Sequence, residues 1–208
     1  MGLFHIGLII NPLAGLGGPA GFKGSDGMAE QALALGVEAK SALRTQTALE
    51  VLLPLRERLE FVTFPGAMGA DLLSEMGFAH RVVGELGAGP SSAADTRQAV
   101  ELLQDAGVAL ILFAGGDGTV RACVQAVFEE EAAVSIGLVP IGTGNILARN
   151  LKLPINNLDK CIKRSVSGDT YEIDLGVAKA VNKHGELTKF YFTGIAGIGM
   201  DARIMQRT

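Results

Sequence analysis

Apolar and polar positions fall in alternating blocks along this chain. Residues 3–10 form a short run rich in Ile and Leu, closed by Asn11-Pro12, the pattern of a buried first strand. Residues 11–27 combine clustered glycines and two prolines with no hydrophobic period, so they read as a long loop of the functional or disordered kind. Helices are predicted over 28–35 and 42–53, the second ending near Pro54. A second strand covers 60–64 and is cut by Pro65-Gly66. A helix over 68–76 and a third strand over 80–86 follow. A turn-rich loop at 87–94 leads into a helix over 95–106, where Ala99, Leu102, Leu103 and Ala106 share one face. The clearest buried strand is 108–114, running into GGDGT at 115–119 and then a helix over 120–131. Another buried strand, 134–141, ends in GTGN at 142–145, with helices over 146–151 and 158–166 beyond it. Strands alternating with helices predict an α/β fold, a parallel sheet with helices on both faces. After Gly168 the pattern changes to strands over 170–181 and 187–193, joined by a hairpin turn, and a glycine loop at 194–199. The expected organisation is an α/β domain over 1–168 and the start of an incomplete β-rich second domain over 169–208.

Composition narrows the classes. With 48% hydrophobic and 19% charged residues, the chain excludes disorder. Its longest apolar stretches, 108–114 and 134–141, are far short of the roughly 20 residues a membrane helix needs. The first ten residues lack the basic start and small-residue cleavage site of a secretory signal. Cys123 and Cys161 form neither a disulfide framework nor a metal set, so the chain reads as cytoplasmic. A net charge of −4 argues against a nucleic-acid partner. Residues 145–208 nevertheless carry 10 basic against 6 acidic side chains. A solvated face is the plain account of that excess; anionic phosphates or a membrane surface are the functional one. Glycine stands out at 28 of 208, nearly twice the usual share of roughly 7%.

The chemistry concentrates in two glycine loops. GGDGT stands at the C-terminal end of a buried strand and opens a helix. Open parallel sheets bind ligands at those strand ends. Glycines let the backbone approach a phosphate, and the helix offers its positive N-terminal end. Asp117 would repel an anion, but it suits a group that accepts a hydroxyl proton or helps hold a cation beside phosphates. The plain alternative is an Asp-Gly turn. GTGN repeats the device one strand later, with Thr143 and Asn145 as extra hydrogen-bonding groups. Neither loop is a Walker A sequence or a GxGxxG dinucleotide turn, and no GxSxG elbow occurs. His5, His80 and His184 are not spaced as metal ligands. Ser91-Ser92 before the helix near Asp95 reads first as helix capping.

GGDGT, a strand ending in Pro140, and GTGN 27 residues on resemble the superfamily that joins NAD kinases with diacylglycerol and sphingosine kinases. Asn11-Pro12 and the GIGMDA segment at 197–202 fit the same pattern. Residues 1–119 look like a bacterial ATP–NAD kinase-type protein and the later half like a bacterial diacylglycerol kinase, with GGDGT as the seam of an expected chimera. The resemblance implies an ATP-dependent kinase that phosphorylates a hydroxyl, first of a lipid such as diacylglycerol, with NAD as the alternative acceptor and an inactive nucleotide-binding module as the other reading. It implies ATP and Mg2+ as cofactors, with no metal ligand assigned. Asn11, Ser92, Gly115, Gly116, Gly118, Thr119, Gly142, Thr143, Gly144 and Asn145 would line the nucleotide. Asp117 would be the general base, and Asp201 would stand near the acceptor. Peripheral membrane contact and a homo-oligomer stay open. Val120-Arg121-Ala122 departs from the Asn-Glu that often follows GGDGT in the family.

Overall fold

Five strands pair side by side, and every pairing is parallel. The strands are β1 (Phe4–Ile10), β2 (Leu59–Thr63), β3 (His80–Val82), β4 (Leu110–Gly115) and β5 (Ser135–Pro140), in the order β3-β2-β1-β4-β5. The structure, a computed structural model, describes residues 2–16, 39–87, 89–129, 134–181 and 184–194. The helix expected over 28–35, most of the glycine loop at 194–199, and Asp201 lie outside the described residues. Contacts divide the chain into two units, Met1–Thr170 and Tyr171–Thr208.

In the first unit the helices are α1 (Ser41–Leu49), α2 (Ala70–Met76), α3 (Ala93–Asp105), α4 (Asp117–Glu129), α5 (Ile146–Asn150) and α6 (Leu158–Val166). They cover both faces of the sheet. Ile6, Leu8 and Ile10 of β1 point to one face and pack with Leu49 of α1, Leu73 of α2 and Ile162 of α6. Ile9 points to the other, with Val100 and Leu103 of α3 and Cys123 and Ala126 of α4. That alternation is the two-residue period of a strand buried on both sides, which is why β1 and β4 read as unbroken apolar runs. β1 and β4 are neighbours although they are not consecutive. The chain winds away from β1 in one direction and from β4 in the other, so the crevice at their C-terminal ends is the switch point of the sheet. Helix α3, which precedes GGDGT, and α4, which begins within it, share one buried cluster, and that packing weakens the expected recombination seam there.

Several boundaries move. The second helix ends as α-helix at Leu49, and a 3-10 segment, Glu50–Arg58, carries the chain through Pro54. Proline has no N–H to give and crowds the carbonyl four residues back, so the α pattern stops before it. The helix expected from Met68 divides into a 3-10 turn, Gly66–Met68, and α2, with Gly69 between them at φ 152°. The third strand is three residues long, not seven. It is the edge of the sheet, and its Arg81 and Val82 are exposed; a short, charged edge resists pairing with other chains. Helix α4 begins at Asp117, inside the expected loop.

In the second unit, β6 (Gly176–Val181) and β7 (Leu187–Phe192) pair antiparallel from Gly176↔Phe192 to Val181↔Leu187. Residues 171–175, expected as strand, stand outside the ladder and are mostly exposed.

Candidate active site

The C-terminal ends of β1, β4 and β5 bring ten of the twelve site residues singled out above onto one edge; Ser92 stands elsewhere, and Asp201 is outside the described residues. Asn11 follows β1, and its backbone N–H extends the ladder to Ala114 O at 2.8 Å. Its side chain works in two directions. Oδ1 accepts from Leu13 N–H at 2.9 Å, closing an Asx turn, and Nδ2 donates to Thr119 Oγ1 at 2.5 Å. Asn11 therefore straps the loop after β1 to the first turn of α4. Because its donor is used in this way, it braces the GGDGT loop without facing outward.

At the end of β4, strand passes into helix within two residues. Gly115 O accepts from both Ile141 N–H and Gly142 N–H at 3.2 Å, which draws the second glycine loop against the first. The approach is closest at Gly116 and Gly142. A Cβ on Gly142 would lie 2.4 Å from Gly116 Cα, a distance no side chain tolerates. Contact between the loops thus requires glycine at 142, while a Cβ on Gly116 would meet Gly142 Cα at a tight but accommodable 3.3 Å. The backbone N–H groups of the first turn of α4 have no partner within the helix, and the helix dipole adds positive potential there.

Asp117 is half-buried and reaches across to the second loop. Its Oδ1 accepts from Leu147 N–H at 3.2 Å, capping α5 from 30 residues away. Oδ2 faces Gly144, where a Cβ would come within 3.0 Å. A carboxylate has about four acceptor positions, so one cap leaves capacity for a proton or a cation. Asn145 is buried, with φ 51° in the left-handed region, and donates to Gly142 O at 2.8 Å and Pro140 O at 3.4 Å. It holds its own loop and does not present its amide outward. Thr143 and Gly144 are exposed on the rim, as is Gly118.

Ser92 stands apart from this group. It is the N-cap of α3, with Oγ accepting from Asp95 N–H at 3.3 Å and donating to Asp95 Oδ2 at 2.7 Å. Asp95 Oδ2 also accepts from Ser92 N–H at 2.7 Å, which completes a capping box. Three residues that the sequence did not single out belong to the site's frame. Arg149 Nε donates to Gly144 O at 2.9 Å, Arg44 Nη1 donates to Ile141 O at 3.1 Å, and Ser41 donates to Pro12 O at 2.7 Å. Arg149 follows the GTGN motif by four residues and was open to detection as a helix-borne cation; Ser41 and Arg44 carried no local signal.

Space is distributed unevenly. The crevice beneath Asp117 and Asn145 encloses about 10 Å³, room for no more than one water. A shallow depression of about 790 Å³ lies elsewhere, between α1 and residues 155–159. Among the described residues, no group of three or more His, Cys, Asp or Glu side chains could hold a metal ion, and no helix is long and apolar enough to cross a membrane.

Residues 71–178, just over half of the chain, match the family described as the diacylglycerol kinase catalytic domain, and the chain belongs to that family. The matched stretch contains both glycine loops and extends on either side of GGDGT. The probable lipid kinase YegS of Escherichia fergusonii is 32% identical over 116 residues, which is 55% of this chain and 36% of that protein. The lipid kinase YegS of Escherichia coli K12 gives the same identity and coverage. The match thus spans little more than a third of the curated relatives' length. A solved diacylglycerol kinase from Bacillus anthracis aligns with a TM-score of 0.44 at 17% identity, covering 88% of this chain and 45% of its own. A putative diacylglycerol kinase from the same organism aligns at 0.45 and 16%, covering 92% and 64%.

Proposed function

We propose that this chain is an ATP-dependent kinase that transfers a phosphoryl group to the hydroxyl of a lipid such as diacylglycerol. One observation carries the reading: two glycine loops touch at Gly116 and Gly142 at the switch point of a parallel sheet, and the Asp117 carboxylate spans them. Bare backbone at a strand end beside a helix N-terminus suits the triphosphate of a nucleotide. Gly116, Gly118 and Thr119 would hold it from one side, and Gly142, Thr143 and Gly144 from the other. ATP bound there supplies the phosphoryl group, and Mg2+ offsets the phosphate charge. The cation would rest on phosphate oxygens and water, as Mg2+ is commonly held beside nucleotides, which leaves the uncapped Asp117 oxygen free to act as a base.

Within that frame Asp117 has two roles. Its capped oxygen keeps α5 and the GTGN loop in register, while the other accepts the proton of the acceptor hydroxyl. Neighbouring backbone dipoles favour negative charge as it builds on the transferred group. The acceptor is assigned to a lipid on the strength of family membership and the named function of the YegS relatives. NAD is the second reading, favoured by the resemblance of residues 1–119 to an ATP–NAD kinase-type protein.

ADP release from MgATP tests this directly, with diacylglycerol micelles compared against NAD and Asp117→Asn as control. Lipid-dependent turnover that Asp117→Asn abolishes supports the proposal. NAD-dependent turnover transfers the acceptor to the second reading. Nucleotide binding without turnover on either acceptor leaves a binding module and refutes the kinase assignment.

A further inference from the structure

Two side chains on the first turn of α1 are fastened to two different loops of the crevice. Ser41, only 1% exposed, donates its hydroxyl to Pro12 O at 2.7 Å and lies 3.2 Å from Ala14 O, which secures the loop that begins at Asn11. Three residues on, Arg44 turns to the other loop. Nη1 donates to Ile141 O at 3.1 Å and Nη2 to Pro140 O at 3.4 Å. Pro140 closes the ladder of β5, so these carbonyls stand at the root of GTGN. The Asn11 loop presses on the same point. Gly15 has φ +82°, and a Cβ there would lie 2.8 Å from Ile141 O.

We infer that Arg44 is a positioning residue for nucleotide binding: it sets the GTGN loop against the Asn11 loop through the carbonyls of Pro140 and Ile141, without touching the nucleotide. The inference rests on the kinase reading above. A planar guanidinium can serve two adjacent carbonyls from one side, whereas a lysine ammonium acts as a single point charge. The docking of α1 does not depend on this bond. Thr45, Ala48 and Leu49 are fully buried, and Ala48 and Leu49 pack in the cluster beneath the sheet, so they hold the helix whether or not Arg44 reaches the loop. Removing the guanidinium should therefore free the loop while the helix stays in place.

Calorimetric titration of the 208-residue chain with MgATP, alongside thermal unfolding, tests this on wild type, Arg44→Met and Arg44→Lys. Arg44→Met should raise the Kd for MgATP about tenfold, because binding must then order a loop that the guanidinium no longer holds, and should lower Tm by only a few degrees through the lost hydrogen bonds. Arg44→Lys should recover part of that affinity. In turnover assays the KM for ATP should rise with the Kd while kcat changes less. Unchanged MgATP affinity in Arg44→Met would overturn the inference and leave the kinase reading standing. An affinity loss that vanishes once the unfolded fraction is subtracted would also overturn it, because the role would then be structural alone. Absence of MgATP binding by wild type would remove the kinase reading and this inference with it.

Discussion

At 115–119 the chain passes from β4 into α4 almost without a loop, and the strand ladder and the helix itself define its path; Asn11 adds one strap. At 142–145 the chain turns between a strand and a five-residue helix, and it is held by side chains from elsewhere. Asn145 ties it to itself, Arg149 to the helix that follows, Asp117 to the first loop and Arg44 to α1. The first loop is a product of its own secondary structure. The second is a product of the assembled sheet, and Asp117 is the residue that makes one depend on the other.

The largest expected effect separates the two roles of Asp117. Asparagine keeps an oxygen for Leu147 N–H but cannot take a proton, so Asp117→Asn should lower turnover by about 10²–10⁴-fold with near-native stability. Asp117→Ala should lose the same turnover and also about 1 kcal/mol of stability, since it removes a helix cap. Equal denaturation midpoints for the two variants would show that the bridge between loops contributes nothing.

Next is the contact between loops. Gly142→Ala places a Cβ 2.4 Å from Gly116 Cα, whereas the reverse substitution at Gly116 meets Gly142 Cα at 3.3 Å. The first should cost about 1–3 kcal/mol by urea denaturation and the second distinctly less. The reverse order would mean that the first loop yields more easily than the second.

Ser92→Ala should cost about 1 kcal/mol through loss of the α3 cap and leave MgATP affinity unchanged, because the hydroxyl is committed to Asp95. A weaker affinity in this variant would extend the nucleotide site beyond the two loops.

The smallest effect near neutral pH involves the thiols behind each loop. Burial pushes Cys123 of α4 from 9.0 up to about 12. Burial, reinforced by the charge of Asp159 and opposed by Arg164, pushes Cys161 of α6 to about 11. Both groups ionise more readily when unfolded, so their contribution is complete below about pH 9 and is lost as pH rises through 11–12. Denaturation midpoints should accordingly fall between pH 9 and 12, and the slope should flatten in Cys123→Ala. Thiol labelling at pH 8 should reach Cys161 before Cys123.

Much of this was legible along the chain. Short continuous apolar runs located β1, β4 and β5, and the helix read over 158–166 matches α6, each to within two residues, because elements with a buried face carry their pattern locally. GGDGT and GTGN were visible for the same reason: each sits where an apolar run stops. The short β3 and the 3-10 passage through Pro54 were less legible, since an edge strand and a proline-bearing turn take their length from their neighbours.

The sequence by itself determined an α/β sheet, its two glycine loops and Asp117 within the first of them, because these depend on spacing and on the absence of side chains. Only the tertiary structure decided that Asn11 braces Thr119, that Asp117 caps α5, and that Arg44 reaches Ile141 O across 97 residues. Hydrogen bonds of that kind form between groups the fold brings together, and residue type alone does not reveal which partner will be in reach.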